Sequence, residues 1–382
     1  MMQLHLNPKL AAITPSAIRV MHDRKRPTSL DLGMGQPSLL PDPEPFERAT
    51  QWTRENGCPY APPAGVPELR ERIAAIYGGR YCADMENVCV SNGSQEGIYL
   101  AIKALLEPGR DEVLLTQPSY PSYGRACDLE GIRSRSVVLS AHSGFALQAD
   151  LLLDALTPQT RLITLGSPAN PTGAVMNRSE MERLAQGLLA RAGPPVYVMV
   201  DEVYRELTFT PEPYTSFMDI YPHTIALQSL SKSCALTGLR LGFFFAPSAI
   251  VEAATRAHGL MMMSVNMFAQ QVALEIVSDP GALAAQRPWY ARQRELLLKT
   301  AHDLALPIIE PQGAFYCMLA LPPALPDSEI VAQRLLDECD VVTIPGCVFG
   351  AAADRYLRLT WAAPAETLTA GLARIAEFLS AD

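Results

Sequence analysis

Short apolar segments at 112–116, 161–166, 196–200 and 224–227 recur along the chain, with helix-like stretches between several of them. A segment apolar on both faces is a strand buried on both sides, so helices must cover the sheet above and below. This pattern predicts an α/β fold around a mostly parallel central sheet flanked by helices. A further strand is expected at 87–91, and helices at 67–77, 94–106 and 178–191. Pro67 suits the first turn of its helix, and Pro108-Gly109 closes the next one.

Before residue 46 the chain is proline-rich and irregular, apart from a short helix expected at 16–24. After about residue 250 the texture changes to a long helical zone (250–276, then 286–304). Strands are then expected at 313–318, 341–344 and 356–360, with helices at 328–338 and at the C-terminus. Three parts follow: an N-terminal segment (1–45) packing with a small domain, a large α/β domain (46–250), and an inter-domain helix with a small α+β domain (251–382). A chain of 382 residues, 48% hydrophobic, can bury cores for both domains.

A net charge of −9 argues against a nucleic-acid backbone as the main ligand. The eight cysteines are scattered without a CxxC pair, so neither a zinc site nor a disulfide framework is indicated. No apolar run approaches the ~18 residues of a membrane span. No charged segment followed by an apolar stretch opens the chain, and the expectation is a soluble cytoplasmic protein.

In open α/β sheets, ligands gather at the carboxyl ends of the strands. Of the five lysines (Lys9, Lys25, Lys103, Lys232 and Lys299), only Lys232 follows an apolar strand. Its setting, Ser229-Leu230-Ser231-Lys232-Ser233-Cys234-Ala235, solvates an ammonium group poorly and favours the neutral, nucleophilic amine. A lysine snorkelling from a strand end would leave the same local pattern. The other strand ends weigh against that reading. The strand at 87–91 runs into Asn92-Gly93-Ser94-Gln95, a glycine turn opening a helix whose first amides can hold a phosphate. The strand at 161–166 runs into Ser167-Pro168-Ala169-Asn170-Pro171, which sets an amide between prolines. The strand at 196–200 ends in Asp201-Glu202-Val203-Tyr204, where Asp201 could cap a helix or pair with a protonated heteroaromatic nitrogen. Tyr204 would reach the same ligand from one helical turn further on. A phosphate cradle, an amide, a carboxylate, a phenol and a desolvated lysine together describe a pyridoxal 5′-phosphate site.

From about residue 32 to 375 the chain resembles the class I/II aminotransferases, fold type I of the pyridoxal phosphate enzymes. The most specific piece is Ser229-x-Ser231-Lys232 followed by Arg240-x-Gly242, supported by Asn170-Pro171-Thr172-Gly173 and Asp201-Glu202-x-Tyr204. The resemblance implies that Lys232 carries the cofactor as an aldimine and then shuttles the proton. It implies that Asp201 pairs with the pyridine nitrogen and that Tyr204 and Asn170 bind the ring oxygen. Gly93, Ser94, Gln95, Ser229, Ser231 and Arg240 would surround the phosphate, and Tyr120 would stack on the ring. Tyr60 would reach the phosphate across a homodimer interface. Gly35 and Asn170 would contact substrate, and Arg358 would grip its α-carboxylate as a bidentate fork. The implied reaction is amino transfer between an α-amino acid and a 2-oxo acid. Elimination or cyclisation from the same carbanion stays open, because those outcomes differ in pocket residues that the motifs do not mark.

Some features are set aside. Gly33-Met34-Gly35 is not a dinucleotide fingerprint, because prolines follow it rather than a helix. Met261-Met262-Met263 is expected in the core or lining the pocket, and His22 at the surface. Arg125 and Arg256 are candidates for a second, distal carboxylate clamp.

Overall fold

The computed structural model describes residues 8–11, 13 and 17–381; Ser16, the expected start of the first helix, lies outside them. An N-terminal strand, β1 (Leu30–Asp31), precedes the main sheet. That sheet is built from β2 (Val88–Ser91), β3 (Glu112–Gln117), β4 (Arg133–Val138), β5 (Thr160–Gly166), β6 (Tyr197–Asp201), β7 (Thr224–Ser229) and β8 (Gly242–Phe245). A second sheet holds β9 (Ile308–Ile309), β10 (Tyr316–Ala320), β12 (Ile344–Pro345) and β13 (Tyr356–Thr360), while β11 (Val341–Val342) pairs in parallel with β1.

The main sheet has the order β2-β8-β7-β6-β5-β3-β4. Its strands are parallel except for β8, which runs antiparallel to both neighbours. This register positions the site. Gly166 pairs with Asp201, so β5 and β6 end level with each other. Gly242 lies opposite both Ser91 and Ser229, so the start of β8 meets the ends of β2 and β7. One sheet edge thereby collects the loops after β2, β5, β6 and β7.

Helices cover both faces, as burial of every residue in β2 and β7 requires. The helix Ser94–Leu105 turns Ile98, Leu100, Ala101 and Ile102 onto Leu227 and Phe244. Each large side chain buried there contributes about 2 kcal/mol of transfer free energy. No helix among the described residues is long and apolar enough to cross a membrane.

Several expected elements shift. The strand at 87–91 starts at Val88, because Asp84 and Asn87 close a capped turn over Met85–Asn87. The zone at 250–276 is two helices, Ser248–Met261 and Met267–Val277, the second restarted by Asn266, whose side chain accepts from the Ala269 amide. The strand expected at 313–318 begins only at Tyr316, after Ala314 adopts a left-handed backbone.

Candidate active site

Ser229 ends β7 and launches a single helical turn, Leu230–Ser233. Its Oγ accepts from the Ser231 amide at 3.0 Å and donates to the Leu241 carbonyl at 2.9 Å. Leu230, Ser231 and Ser233 are buried, and the turn delivers Lys232 into a cavity of about 260 Å³. The Tyr290 hydroxyl donates to the Lys232 carbonyl at 2.6 Å, fixing the backbone from behind. Inside, Nζ donates to the Gly35 carbonyl at 2.7 Å and lies 5.7 Å from the Phe315 ring centre. Burial pushes the amine down to about 8; Arg358 and Arg240 push the same way, against the pull of Asp201.

Asp201 ends β6 facing the same cavity. Tyr123 donates its hydroxyl to Oδ2 at 2.9 Å, and the Val203 amide donates to Oδ1 at 3.3 Å. Burial raises its pKa, against the Tyr123 and Val203 hydrogen bonds and the charge of Lys232. Tyr204 is not a helical turn further on, as the sequence suggested. It sits in the turn before the short helix Arg205–Leu207, its hydroxyl 3.1 Å from that of Tyr316.

At one end of the cavity the helix Ser94–Leu105 points its N-terminus between Ser229, Ser231 and Arg240. Two glycines keep this end open. A Cβ on Gly93, whose φ is +77°, would come within 2.4 Å of Arg240 Nη2, and one on Gly242 within 2.3 Å of the Ser94 amide nitrogen. Tyr120 lines the same wall and donates to Gln95 Oε1 at 3.0 Å.

At the other end, Arg358 projects from the middle of β13 and is 1% exposed. Its guanidinium stacks on Tyr316 at 4.3 Å and Phe349 at 5.0 Å. Nη1 donates to Asn170 Oδ1 at 3.1 Å and Nη2 to the Gly33 carbonyl, while Nε is buried without a partner. A buried cation with an unused donor is an uncompensated cost that a carboxylate ligand would relieve.

One cavity therefore brings together Gly35, Gly93, Ser94, Gln95, Tyr120, Asn170, Asp201, Tyr204, Ser229, Ser231, Lys232, Arg240 and Arg358. Tyr60 stands outside it, 82% exposed. Arg125 and Arg256 do not line it; Arg256 pairs with Glu252 on its own helix. The cavity adds Tyr123, Tyr316, Met34 and Ile18, to which no role had been attached. Met261, Met262 and Met263 are about half exposed, not core or pocket, because the helix ends at Met261. His22 is partly buried against Asp31 at 3.3 Å, not a free surface histidine.

The sequence matches the family described as aminotransferase class I and II over residues 27–375. The chain belongs to the class I and II aminotransferase family. Among this aminotransferase's relatives is a probable N-acetyl-LL-diaminopimelate aminotransferase of Bacillus subtilis (strain 168). It is 31% identical across 98% of this chain and 95% of its own length. An aspartate aminotransferase of Pyrococcus horikoshii is 30% identical across 98% of this chain and 97% of its own. The solved aspartate aminotransferase from Thermus thermophilus with maleate matches with a TM-score of 0.90 at 30% identity, covering 98% of this chain and 100% of that one. These names favour amino transfer over the elimination or cyclisation that the motifs left open, and the family depends on pyridoxal phosphate.

Proposed function

We propose that this aminotransferase exchanges an amino group between an α-amino acid and a 2-oxo acid, using pyridoxal 5′-phosphate held at Lys232. The observation that carries this reading is the convergence of Lys232, Asp201 and Arg358 on one cavity, two from neighbouring strand ends of the main sheet and one from the middle of a strand in the second sheet. The residues fit the cofactor. A helix N-terminus, two serine hydroxyls and Arg240 suit a phosphate, and the glycines leave room for one. When bound, the cofactor supplies an electron sink for negative charge developing at the substrate Cα.

The chain's own residues do the rest. Asp201, oriented by Tyr123 and the Val203 amide, holds the proton on the ring nitrogen. Asn170 and Tyr204 would hydrogen-bond the ring oxygen, and Tyr120 would cover the ring. Arg358 takes the α-carboxylate with its fork, supported by Asn170, while Gly35 contacts the substrate. Lys232 would hold the cofactor and, once free of it, would move the substrate Cα proton. Its depressed pKa leaves a useful neutral fraction near neutral pH. The same groups serve the 2-oxo acid in reverse.

The test mixes the pure holoenzyme with single amino acids, following cofactor absorbance and product mass. Stable pyridoxamine phosphate with an oxo acid is the expected outcome. Released ammonia, with the cofactor returned to its starting form, would reject amino transfer. Arg358→Lys keeps the charge but loses the fork, so kcat/KM is expected to fall about 10²-fold for amino and oxo acids alike. An effect on only one of the two would remove Arg358 from the shared carboxylate role.

A homodimer completes the proposal. Tyr60 and Leu260 (82% and 91% exposed) belong to segments joined where His258 Nδ1 meets the Pro63 carbonyl at 2.8 Å. With Met261, Met262 and Met263 they form an apolar surface suited to a second copy, across which Tyr60 would reach the partner's phosphate site. A monomer in sedimentation equilibrium at micromolar concentration would contradict it. The free cysteines support a reducing, cytoplasmic setting.

A further inference from the structure

Lys232 and Arg358 have one thing in common besides the cavity: both donate to the same short strap of backbone. Nζ of Lys232 donates to the Gly35 carbonyl at 2.7 Å, and Nη2 of Arg358 donates to the Gly33 carbonyl. The strap leaves β1 and is turned by a single carboxylate. Asp31 Oδ1 accepts from the amides of both Gly33, at 3.0 Å, and Met34, at 3.1 Å. Oδ2 is held from the other side by Lys25 Nζ at 2.9 Å and faces His22 Nδ1 at 3.3 Å. His22 lies on the helix Ala17–Asp23, four residues beyond Ile18, which lines the cavity. Positions four apart share a helix face, so one short helix meets both the pocket and the carboxylate that shapes its strap.

We propose that Asp31 is a positioning residue for amino transfer: clamped by Lys25, it sets the Gly33–Gly35 strap whose carbonyls place Arg358 and Lys232. The proposal rests on the roles given above to those two residues. Tethering the N-terminal segment is not what Asp31 is needed for. Arg26 and Thr28 already bind Asp340, at 3.0 and 2.8 Å, and the Leu30 amide donates to the Asp340 carbonyl at 2.9 Å. The strap also has little slack. A Cβ on Gly33 would sit 2.9 Å from Val342 Cγ1, and one on Gly35 would come within 2.4 Å of the Tyr316 hydroxyl. A strap this closely packed transmits a change in its turn to the carbonyls that follow. Burial works against the charge on Asp31, yet the Lys25 hydrogen bond and the two amides hold its carboxyl below the ordinary range.

The test compares wild-type holoenzyme with Asp31→Ala, Asp31→Asn and Lys25→Met, using an amino acid that passes the half-reaction screen. Asp31→Ala is expected to lower kcat/KM about 100-fold, with KM for both amino and oxo acid up about tenfold, as misplacement of catalytic groups does. Asp31→Asn keeps an oxygen for the two amides and should return kcat to within about threefold of wild type. Lys25→Met leaves the turn but loosens its clamp, so KM should rise about threefold with kcat unchanged. In the cofactor-free protein, hydrogen exchange at the Gly33 and Met34 amides should quicken in Asp31→Ala but not in Asp31→Asn. Asp31→Ala with a lower melting temperature and unchanged kcat and KM would overturn the proposal, since Asp31 would then be a tether only. Equal damage in Asp31→Asn and Asp31→Ala would overturn it too. Where Asp31→Ala does not fold, unchanged KM in Lys25→Met does the same. Wild-type protein that exchanges no amino group would instead sink the underlying reading, and this inference with it.

Discussion

Replacing Lys232 with alanine is expected to lower kcat by about 10⁴-fold, the loss that follows when a base and covalent anchor vanish together. The phosphate cradle of Gly93, Ser94, Ser229, Ser231 and Arg240 is untouched, so the variant should still take up cofactor, though less tightly. Borohydride should fix the cofactor to the Lys232 peptide of the wild type and to no peptide of the variant, as read by mass. A variant that kept more than a few per cent of its turnover would remove Lys232 from the proton transfer. The pH dependence has a definite sign. With the amine at about 8, capture of added cofactor by the cofactor-free protein should accelerate up to about pH 8 and then level off. A climb continuing to the ordinary lysine value of 10.5 would contradict the desolvated setting. Because the folded pKa is depressed, the unfolded chain binds this proton more tightly between those two values. The lysine therefore costs stability below about pH 8, and the cost fades as the pH rises towards 10.5. Lys232→Met should accordingly melt higher than wild type at pH 7, with the gain gone by about pH 10.5.

The parallel strands could be read from sequence because burial on both faces leaves an uninterrupted apolar run, as at 161–166 and 196–200. The same logic hides β4. Arg133-Ser134-Arg135-Ser136 sits on the exposed sheet edge, where charge discourages pairing with another chain and no apolar signature is needed. Strand β8 was visible only as a brief apolar run at 243–245, and nothing local says that it inserts antiparallel between β2 and β7. That insertion matters, because it carries Gly242 against the Ser94 amide at the phosphate end. Sheet order is a long-range property, set by how the layers pack rather than by any one segment.

At the site, Lys232 and Asp201 stand out as polar groups at the ends of apolar strands, Asn170 as an amide set between prolines, and Arg358 through the family resemblance. Tyr123 and Tyr316 do not. A tyrosine in a helix or strand is ordinary core material, and only the direction of its hydroxyl, towards Asp201 in one case and Tyr204 in the other, reveals a second use. The resemblance marks Gly35 as a substrate contact, but the use of its carbonyl by Lys232, and of the Gly33 carbonyl by Arg358, has no local signal, since every residue has a carbonyl. The triple methionine misled in the opposite sense: an apolar run suggested burial, but the helix stops at Met261 and leaves the side chains on the surface. The second copy of the chain proposed above would cover them.

Asp201→Asn is expected to lower kcat by about 10³-fold, the scale on which a preorganised charge contributes when removed from beside developing charge. The carboxylate accepts on both oxygens, from Tyr123 and from the Val203 amide, and still presents its charge to the cavity. An amide of the same shape can keep at most one acceptor oxygen and carries no charge to hold a proton on the ring nitrogen. Backbone geometry should survive the change, because Asp201 is anchored by its strand pairing to Gly166 and Leu227 and not by its side chain. Folding should not suffer either, since burial already works against this charge. The loss should fall on kcat rather than KM, because the interaction strengthens only as negative charge builds at the substrate Cα. Cofactor occupancy, read from absorbance in the same samples, separates this from simple failure to bind. A variant with full occupancy and near-normal kcat would mean that Tyr123 and Asp201 only brace the end of β6. The electron sink would then be sustained by something other than the Asp201 carboxylate that the sheet aims into the cavity.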